Sequence, residues 1–203
     1  NIVSLCSFAC FSFFIATILH PLYAKPNMYE TSAITGTATP SEASITLAST
    51  ATDTSVSIIP EAGFTLSSSS DTSNYDVTTT NYTGYTISIV AEDDNKTLVN
   101  TEDSTKTISS ITSAVDQSSF TTNNRWGIKP NKYYDIANNT TITNTSTILP
   151  APTTEGIILD KTTTANVVAN NYSIALGAKV DGTIPAGTYD RDLIITIIPN
   201  PIS

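Results

Sequence analysis

The feature that most constrains the fold is a side-chain alternation of period two near the end of the chain. Residues 171–180 read NYSIALGAKV and place large apolar side chains on one side of an extended backbone. This apolar set comprises Tyr172, Ile174, Leu176, Ala178 and Val180. Residues 85–91 repeat the pattern on a second segment. Since successive side chains of a strand point to opposite faces, both stretches predict half-buried β-strands.

The rest of the chain carries roughly nine short segments of strand character, separated by turn signals. Thr, Ser and Asn account for 36, 24 and 16 of the 203 residues, which favours strands and turns over helices. We therefore expect an all-β protein, an antiparallel β-sandwich of immunoglobulin-like or fimbrial-like type. Residues 108–120 are the ambiguous stretch: the spacing of Ile108, Ile111 and Val115 fits one short helix there, and a strand fits nearly as well.

The closing region predicts a hairpin. Residues 181–187 contain two glycines and a proline and form a turn, after which residues 189–198 return antiparallel to the preceding strand. The stretch LIITII, residues 193–198, is apolar on both faces. We therefore expect this last strand to be covered on both sides.

Two connecting regions stand out by composition. Residues 92–106 are charged and rich in turn formers, so they predict a loop or a ragged hairpin. Residues 131–156 are low in complexity and contain prolines that do not fit a central strand. They predict a long exposed excursion, and both regions are candidates for recognition loops.

The first 24 residues differ in kind from the rest. An uncharged apolar run extends from Leu5 to Leu19 and is followed by Pro21 and a small residue, Ala24. This pattern is typical of a secretory signal peptide whose start is missing, with a retained membrane anchor as the alternative. We expect residues 1–24 to be the signal, 25–40 a flexible leader and 41–203 a single β-sandwich domain, secreted or held at the cell surface. No stable membrane span is expected in the mature chain, because LIITII is far shorter than the roughly 20 residues a span requires.

Composition narrows the function classes. Cys6, Cys10 and the single histidine, His20, all lie in the predicted signal, so the remainder has neither a thiol nor an imidazole for nucleophilic catalysis. We therefore expect no enzyme activity. The formal net charge of −9 opposes binding to phosphate backbones, so nucleic acid is not an expected partner. The expected partners are other protein subunits, or glycans of a host or cell surface.

Two groups of side chains are candidate sites. Tyr133 and Tyr134, in a polar stretch, and Trp126 are candidates for ligand contact, because aromatic rings offer an apolar face to a sugar. Trp126 also fits a core position. Glu92, Asp93 and Asp94 offer oxygen ligands for Ca²⁺, but their spacing does not match an EF-hand loop and a solvated turn is the favoured interpretation. No other cofactor is expected.

Three motifs in order carry a family resemblance. They are NYTGYTISI (81–89), RWGIKP (125–130) and ALGAKVDGTIPAGTYDRDLIITI (175–197). The order resembles a secreted or surface β-sandwich domain of uncultured, small-genome bacteria, and the closing hairpin is similar to that of spore-coat-U-like and other fimbrial-type subunits. The resemblance implies a structural or adhesive role. The fimbrial cysteine pair and a C-terminal sorting motif are not found in this sequence.

These observations predict a non-enzymatic secreted or cell-surface protein with a structural or adhesive role, as part of a surface assembly. One mechanism is strand exchange, in which leader residues 31–50 complete the sheet of a neighbouring subunit. The alternative function is a carbohydrate-binding module, or the non-catalytic part of a secreted hydrolase.

Overall fold

The computed structural model describes residues 43–51, 54–61, 63–143 and 145–201. The predicted signal, residues 1–24, and the predicted flexible leader, residues 25–40, lie outside the described residues. The described residues from Ile45 onward cluster as one compact unit. Among the residues described, no helix is long and apolar enough to cross a membrane.

Strands dominate the described chain. In order they are β1 Ile45–Ala51, β2 Thr65–Leu66, β3 Ser73–Thr79, β4 Tyr85–Val90, β5 Thr97–Asn100, β6 Thr107–Ser110, β7 Val115–Asp116, β8 Arg125–Pro130, β9 Lys132–Asp135, β10 Thr140–Thr143, β11 Thr147–Ile148, β12 Ile157–Lys161, β13 Asn166–Lys179, β14 Tyr189–Asp190 and β15 Ile194–Pro199. Two single 3₁₀ turns, Ser69–Asp71 and Gln117–Ser119, interrupt them.

Two sheets form the sandwich. The larger has eight strands in the order β1-β3-β13-β8-β6-β5-β14, with β2 also paired to β13. The smaller has three, in the order β12-β4-β15, and two-stranded ladders join β9 to β10 and β7 to β11. All pairings are antiparallel except that of β6 with β8. The predicted all-β sandwich is confirmed.

The main apolar core lies between the sheets. It combines side chains of β4 and β12 with side chains of the larger sheet, and its largest fully buried members include Trp126, Tyr85, Tyr172, Ile87, Ile89, Ile128, Leu159 and Val77. The two alternating segments of the sequence supply much of it. The burial of β4 follows the predicted period of two, and Tyr172, Ile174 and Ala178 of β13 are buried as predicted. The period is broken between them, where Leu176 is only half-buried and Gly177 is buried. Burying such side chains stabilises the fold by about 1.5–3 kcal/mol each.

A buried polar network crosses this core. The hydroxyl groups of Tyr85 on β4 and Tyr172 on β13 are 2.7 Å apart, and the Tyr172 hydroxyl donates to Asp160 Oδ2 on β12 at 2.9 Å. Lys132 Nζ lies 3.2 Å from Asp160 Oδ2 and 4.0 Å from the centroid of the Tyr172 ring. Thr141 donates to the other carboxylate oxygen of Asp160. Because every member has a partner, the network joins the two sheets without an unpaired buried charge.

Residues 108–120 do not form the expected short helix. The segment contains β6, the two-residue β7 and one 3₁₀ turn, Gln117–Ser119. Ile108 and Ile111 are both buried, but in different core clusters. The strand alternative holds because strand pairing with β5 and β8, which the local sequence does not reveal, decides the conformation.

The prediction of a long exposed excursion over residues 131–156 is wrong. Residues of β9 and β10 form a hairpin, and Ile148, Leu149, Ala151 and Pro152 are buried. Leu149 exchanges backbone hydrogen bonds with Ile128, which draws the proline-containing segment against the larger sheet. By contrast, residues 92–106 follow the ragged-hairpin alternative, since β5 and β6 pair across them.

The predicted closing hairpin is also wrong. After the turn, Tyr189 and Asp190 pair with β5 of the larger sheet, and β15 then pairs with β4 of the smaller one. The chain therefore changes sheets over residues 191–193. Nor is β15 covered on both sides: Ile194 is 43% exposed and Ile198 is 59% exposed.

The turn after β13 depends on one carboxylate. Asp181 accepts hydrogen bonds from the hydroxyl and the backbone N–H of Thr183 and from the side-chain amide of Asn124. These bonds lower the pKa of Asp181 from 3.8 to about 2. The carboxylate thus ties this turn to the residue that precedes β8.

We expect the buried tyrosine pair to matter for stability. Replacing Tyr172 by Phe removes the hydroxyl that bridges Tyr85 and Asp160, and should lower the free energy of unfolding by about 1–3 kcal/mol. The matched control is Tyr82→Phe, at a side chain that is 40% exposed, which should change it by less than about 0.5 kcal/mol. Chemical denaturation measures both. Equal effects of the two substitutions would contradict the bridging role.

We also expect an acid-sensitive contribution from Asp181. Because its folded-state pKa is lowered, its stabilising effect is present above pH 3.8 and is lost as the pH falls toward 2. Asp181→Asn should therefore flatten the pH dependence of stability over this window while leaving the fold intact at neutral pH. Thermal unfolding followed from pH 5 down to pH 2 tests it, and an unchanged slope would be the contrary result.

Candidate functional site: the unpaired edge of the sandwich

The structure places Trp126 inside the core. The residue is 1% exposed, and its indole Nε1 donates to the Lys96 carbonyl at 3.0 Å. Its ring faces the space between the sheets, so it can contact a ligand only inside the sandwich.

Tyr133 and Tyr134 are neighbours on β9 and therefore point to opposite faces. Tyr133 packs against the main core. The hydroxyl of Tyr134 donates to Asn139, and the Lys161 ammonium lies 4.5 Å from its ring centroid. The three aromatic candidates are thus not brought together into one platform.

The acidic run follows β4 as a turn. Asp93 Oδ1 lies 2.6 Å from the Arg191 guanidinium, and Asp94 accepts hydrogen bonds from the backbone and the hydroxyl of Thr154. These bonds lower the pKa of both carboxyls. Glu92 is exposed. Within the described ranges, no group of three potential metal-ligating side chains is found.

The candidate site is the free side of β15, which is the side that faces away from β4. Asn200 N–H donates to the Gly84 carbonyl at 3.0 Å, so Asn200 is hydrogen-bonded toward β4. Ile198, Thr196 and Ile194 lie two, four and six positions before Asn200 in the same register with β4. In an antiparallel pair, backbone groups alternate between pointing toward the partner and pointing away. The N–H and C=O groups of Ile195 and Ile197 therefore point away from β4, and β15 has no second partner strand among the described residues.

The side chains on this strand are uncharged throughout. Residues 193–199 read LIITIIP. Leu193, Ile195 and Ile197 pack against the core, whereas Ile194 and Ile198 form an exposed apolar strip on the outer surface. The only edge-protecting residue is Pro199, which has no N–H to donate.

A cavity of about 1230 Å³ lies beside this edge. Its walls include Leu193 and Ile195, the extended segment 54–60, and core side chains such as Trp126 and Ile174. Arg191 also lines it, with a side chain only 9% exposed. The Arg191 Nε atom is buried and has no hydrogen-bond partner, so the cavity wall carries one donor that a carbonyl or carboxylate oxygen could satisfy.

Sequence reasoning identified the apolar run at 193–198 but gave it the wrong partner. The signal for the change of sheet is the charged triplet Asp190, Arg191 and Asp192, which interrupts the strand pattern just before Leu193. The cavity left no signal in the sequence, because its walls come from distant segments.

In comparisons with known proteins, no family model, no curated protein and no solved structure matches the chain.

The alternation along β15 predicts a specific pattern of amide hydrogen exchange. The N–H groups of Thr196 and Ile198 bond to β4 and should exchange slowly. Those of Ile195 and Ile197 face away and should exchange rapidly in dilute solution, where no second chain covers them. Residue-resolved exchange by NMR measures this. Equal protection of all four amides at low concentration would contradict the unpaired edge.

Proposed function

We propose that this protein is a non-enzymatic secreted or cell-surface subunit, structural or adhesive in role, that joins other protein subunits through the free edge of β15. The observation that carries the proposal is an uncharged edge strand with outward backbone groups and two exposed isoleucines. An exposed apolar edge of this kind is a template for pairing with another chain, and natural proteins ordinarily block it with charge. An edge left open is consistent with a partner that covers it.

The surroundings of the edge support the same role. An added strand would satisfy the backbone groups of Ile195 and Ile197, and side chains of that strand would have the adjoining cavity available to them. The unpartnered Nε of Arg191 gives a donor for a backbone carbonyl of such a strand. The buried carboxylate of Asp160 is already committed to Thr141, Tyr172 and Lys132, which favours a structural role over catalysis for it.

The proposed mechanism of assembly uses the free edge of β15 in place of the strand exchange predicted for the leader. Of residues 31–50, which were expected to complete a neighbouring sheet, residues 45–50 lie in β1, and β1 pairs with β3 of the same chain. Residues 31–42 lie outside the described residues. The proposal therefore rests on the receiving edge and leaves open which segment of a partner subunit docks there.

A charge placed on the exposed strip tests the proposal. Ile198→Lys should abolish concentration-dependent assembly of the full chain, because the lysine must be desolvated when a strand docks. Val167→Lys is the matched control, since Val167 is also exposed and apolar, at 77%, but lies on β13. Light scattering coupled to size-exclusion chromatography, with negative-stain microscopy, measures assembly.

The expected result is assembly of the wild type and of Val167→Lys, and a monomer for Ile198→Lys. A wild type that stays monomeric at all concentrations would overturn the proposal, and so would equal loss of assembly in both variants. Unfolding curves of the two variants check that each remains folded.

A further inference from the structure

The edge strand β15 is a palindrome. Residues 194–198 read Ile-Ile-Thr-Ile-Ile and are identical in both directions about Thr196. When two copies of one chain pair antiparallel, a two-fold axis relates them and the same surface patch serves both subunits. When a palindromic strand is centred on that axis, each residue lies opposite a residue of the same type in the second copy. Ile194 would face Ile198 of the second copy, and Thr196 would face Thr196.

The direction of the backbone groups matches this register. Ile195 and Ile197 carry the outward N–H and C=O groups of β15, and centring on Thr196 places Ile195 opposite Ile197 of the second copy. Each such pair would exchange two hydrogen bonds, since both residues face the partner strand. Ile194 and Ile198, the two exposed isoleucines, would meet on the outer face. One register therefore satisfies the outward backbone groups and the exposed apolar strip together.

Both sheets have an edge strand on this side of the sandwich. Residues 191–193 join Asp190 of β14 to Ile194 of β15, a stretch just long enough to cross the roughly 10 Å between packed sheets. The start of β15 therefore lies over β14, the last strand of the larger sheet. Among the described strands, β14 pairs only with β5 and β15 only with β4, so both sheets end on this side.

Charge and area define the strength of the contact. The formal net charge of −9 makes two copies repel, but the register brings no charged residues into direct opposition along residues 193–199. The edge has six residues, too few to reach the roughly 1,200 Å² at the lower limit of stable interfaces. The contact is therefore a concentration-dependent one that salt strengthens by screening the repulsion.

We propose that the partner of β15 is a second copy of this chain, bound antiparallel about a two-fold axis through Thr196. The proposal rests on the function proposed above and names its partner. It joins the two three-stranded sheets into one continuous sheet across the dimer.

Disulfide trapping tests the register. In the proposed pairing, Thr196 and its counterpart are a pair without mutual hydrogen bonds, with Cα atoms about 4.5 Å apart, within the range that a disulfide spans. The full chain with Cys6 and Cys10 replaced by serine and Thr196→Cys should form a disulfide-linked dimer under mild oxidation. Ile194→Cys in the same background is the matched control. It lies on the same face, but its counterpart is four positions away along the strand, so it should form far less dimer.

Non-reducing electrophoresis gives the dimer fraction, and mass spectrometry of digests identifies a peptide linked through position 196 to itself. Equal cross-linking of the two cysteine variants would overturn the register. Should Thr196→Cys fail to fold, the double variant Ile194→Cys with Ile198→Cys tests the same register through disulfides between positions 194 and 198.

The symmetric dimer and edge assembly in general can be distinguished by the outcome. If neither single cysteine cross-links while the wild type still assembles and Ile198→Lys prevents it, the symmetric dimer is wrong and edge assembly stands. If the wild type is a monomer throughout, both are wrong.

Discussion

The hydrogen bond between the Tyr172 hydroxyl and the Asp160 carboxylate is the contact on which the rest of the arrangement depends. It links β13, an interior strand of the larger sheet, to β12 of the smaller one, and Tyr85 adds β4 to the same contact. Burial raises the pKa of both tyrosines, so their hydroxyls stay protonated and keep donating at any physiological pH. Asp160 is stabilised in turn by Lys132, which balances its buried charge.

This contact positions one side of the small sheet and leaves the other side free. β12 lies beside the β9–β10 hairpin, which supplies Lys132 and Thr141 to Asp160. β15, on the far side of β4, has no such cover among the described strands. The asymmetry gives the sandwich one supported edge and one apolar edge, and the proposed assembly follows from the second. The absence of charge from residues 193–199 makes that edge receptive to another strand.

Local patterns were sufficient for the strands but not for their partners. The alternation in β4 predicted which side chains are buried, because burial in a half-covered strand follows its period of two. In residues 172–180 the prediction failed at Leu176, which is only half-buried, and at Gly177, which is buried. The sheet that residues 193–198 (LIITII) join could not be predicted. A turn indicates which strand the next one pairs with only when the chain stays in the same sheet. The prediction of an exposed excursion over residues 131–156 fails at Ile148 and Pro152, which are buried, because the long-range pairing of Leu149 with Ile128 outweighs proline content. Of the candidate site residues, Trp126 is buried. Arg191 could not be predicted as a site residue, because the cavity that it lines is formed by segments distant in sequence.

The central claim is that β15 pairs with β4 and with nothing else in the single chain. Nuclear Overhauser spectra of a dilute sample test it most directly, because the Cα protons of non-hydrogen-bonded pairs in antiparallel strands lie close together. The account predicts Hα–Hα contacts between Ile197 and Ile87 and between Ile195 and Ile89, with no backbone contact on the other side of β15. Contacts from Ile195 or Ile197 to the backbone of β13 would contradict it.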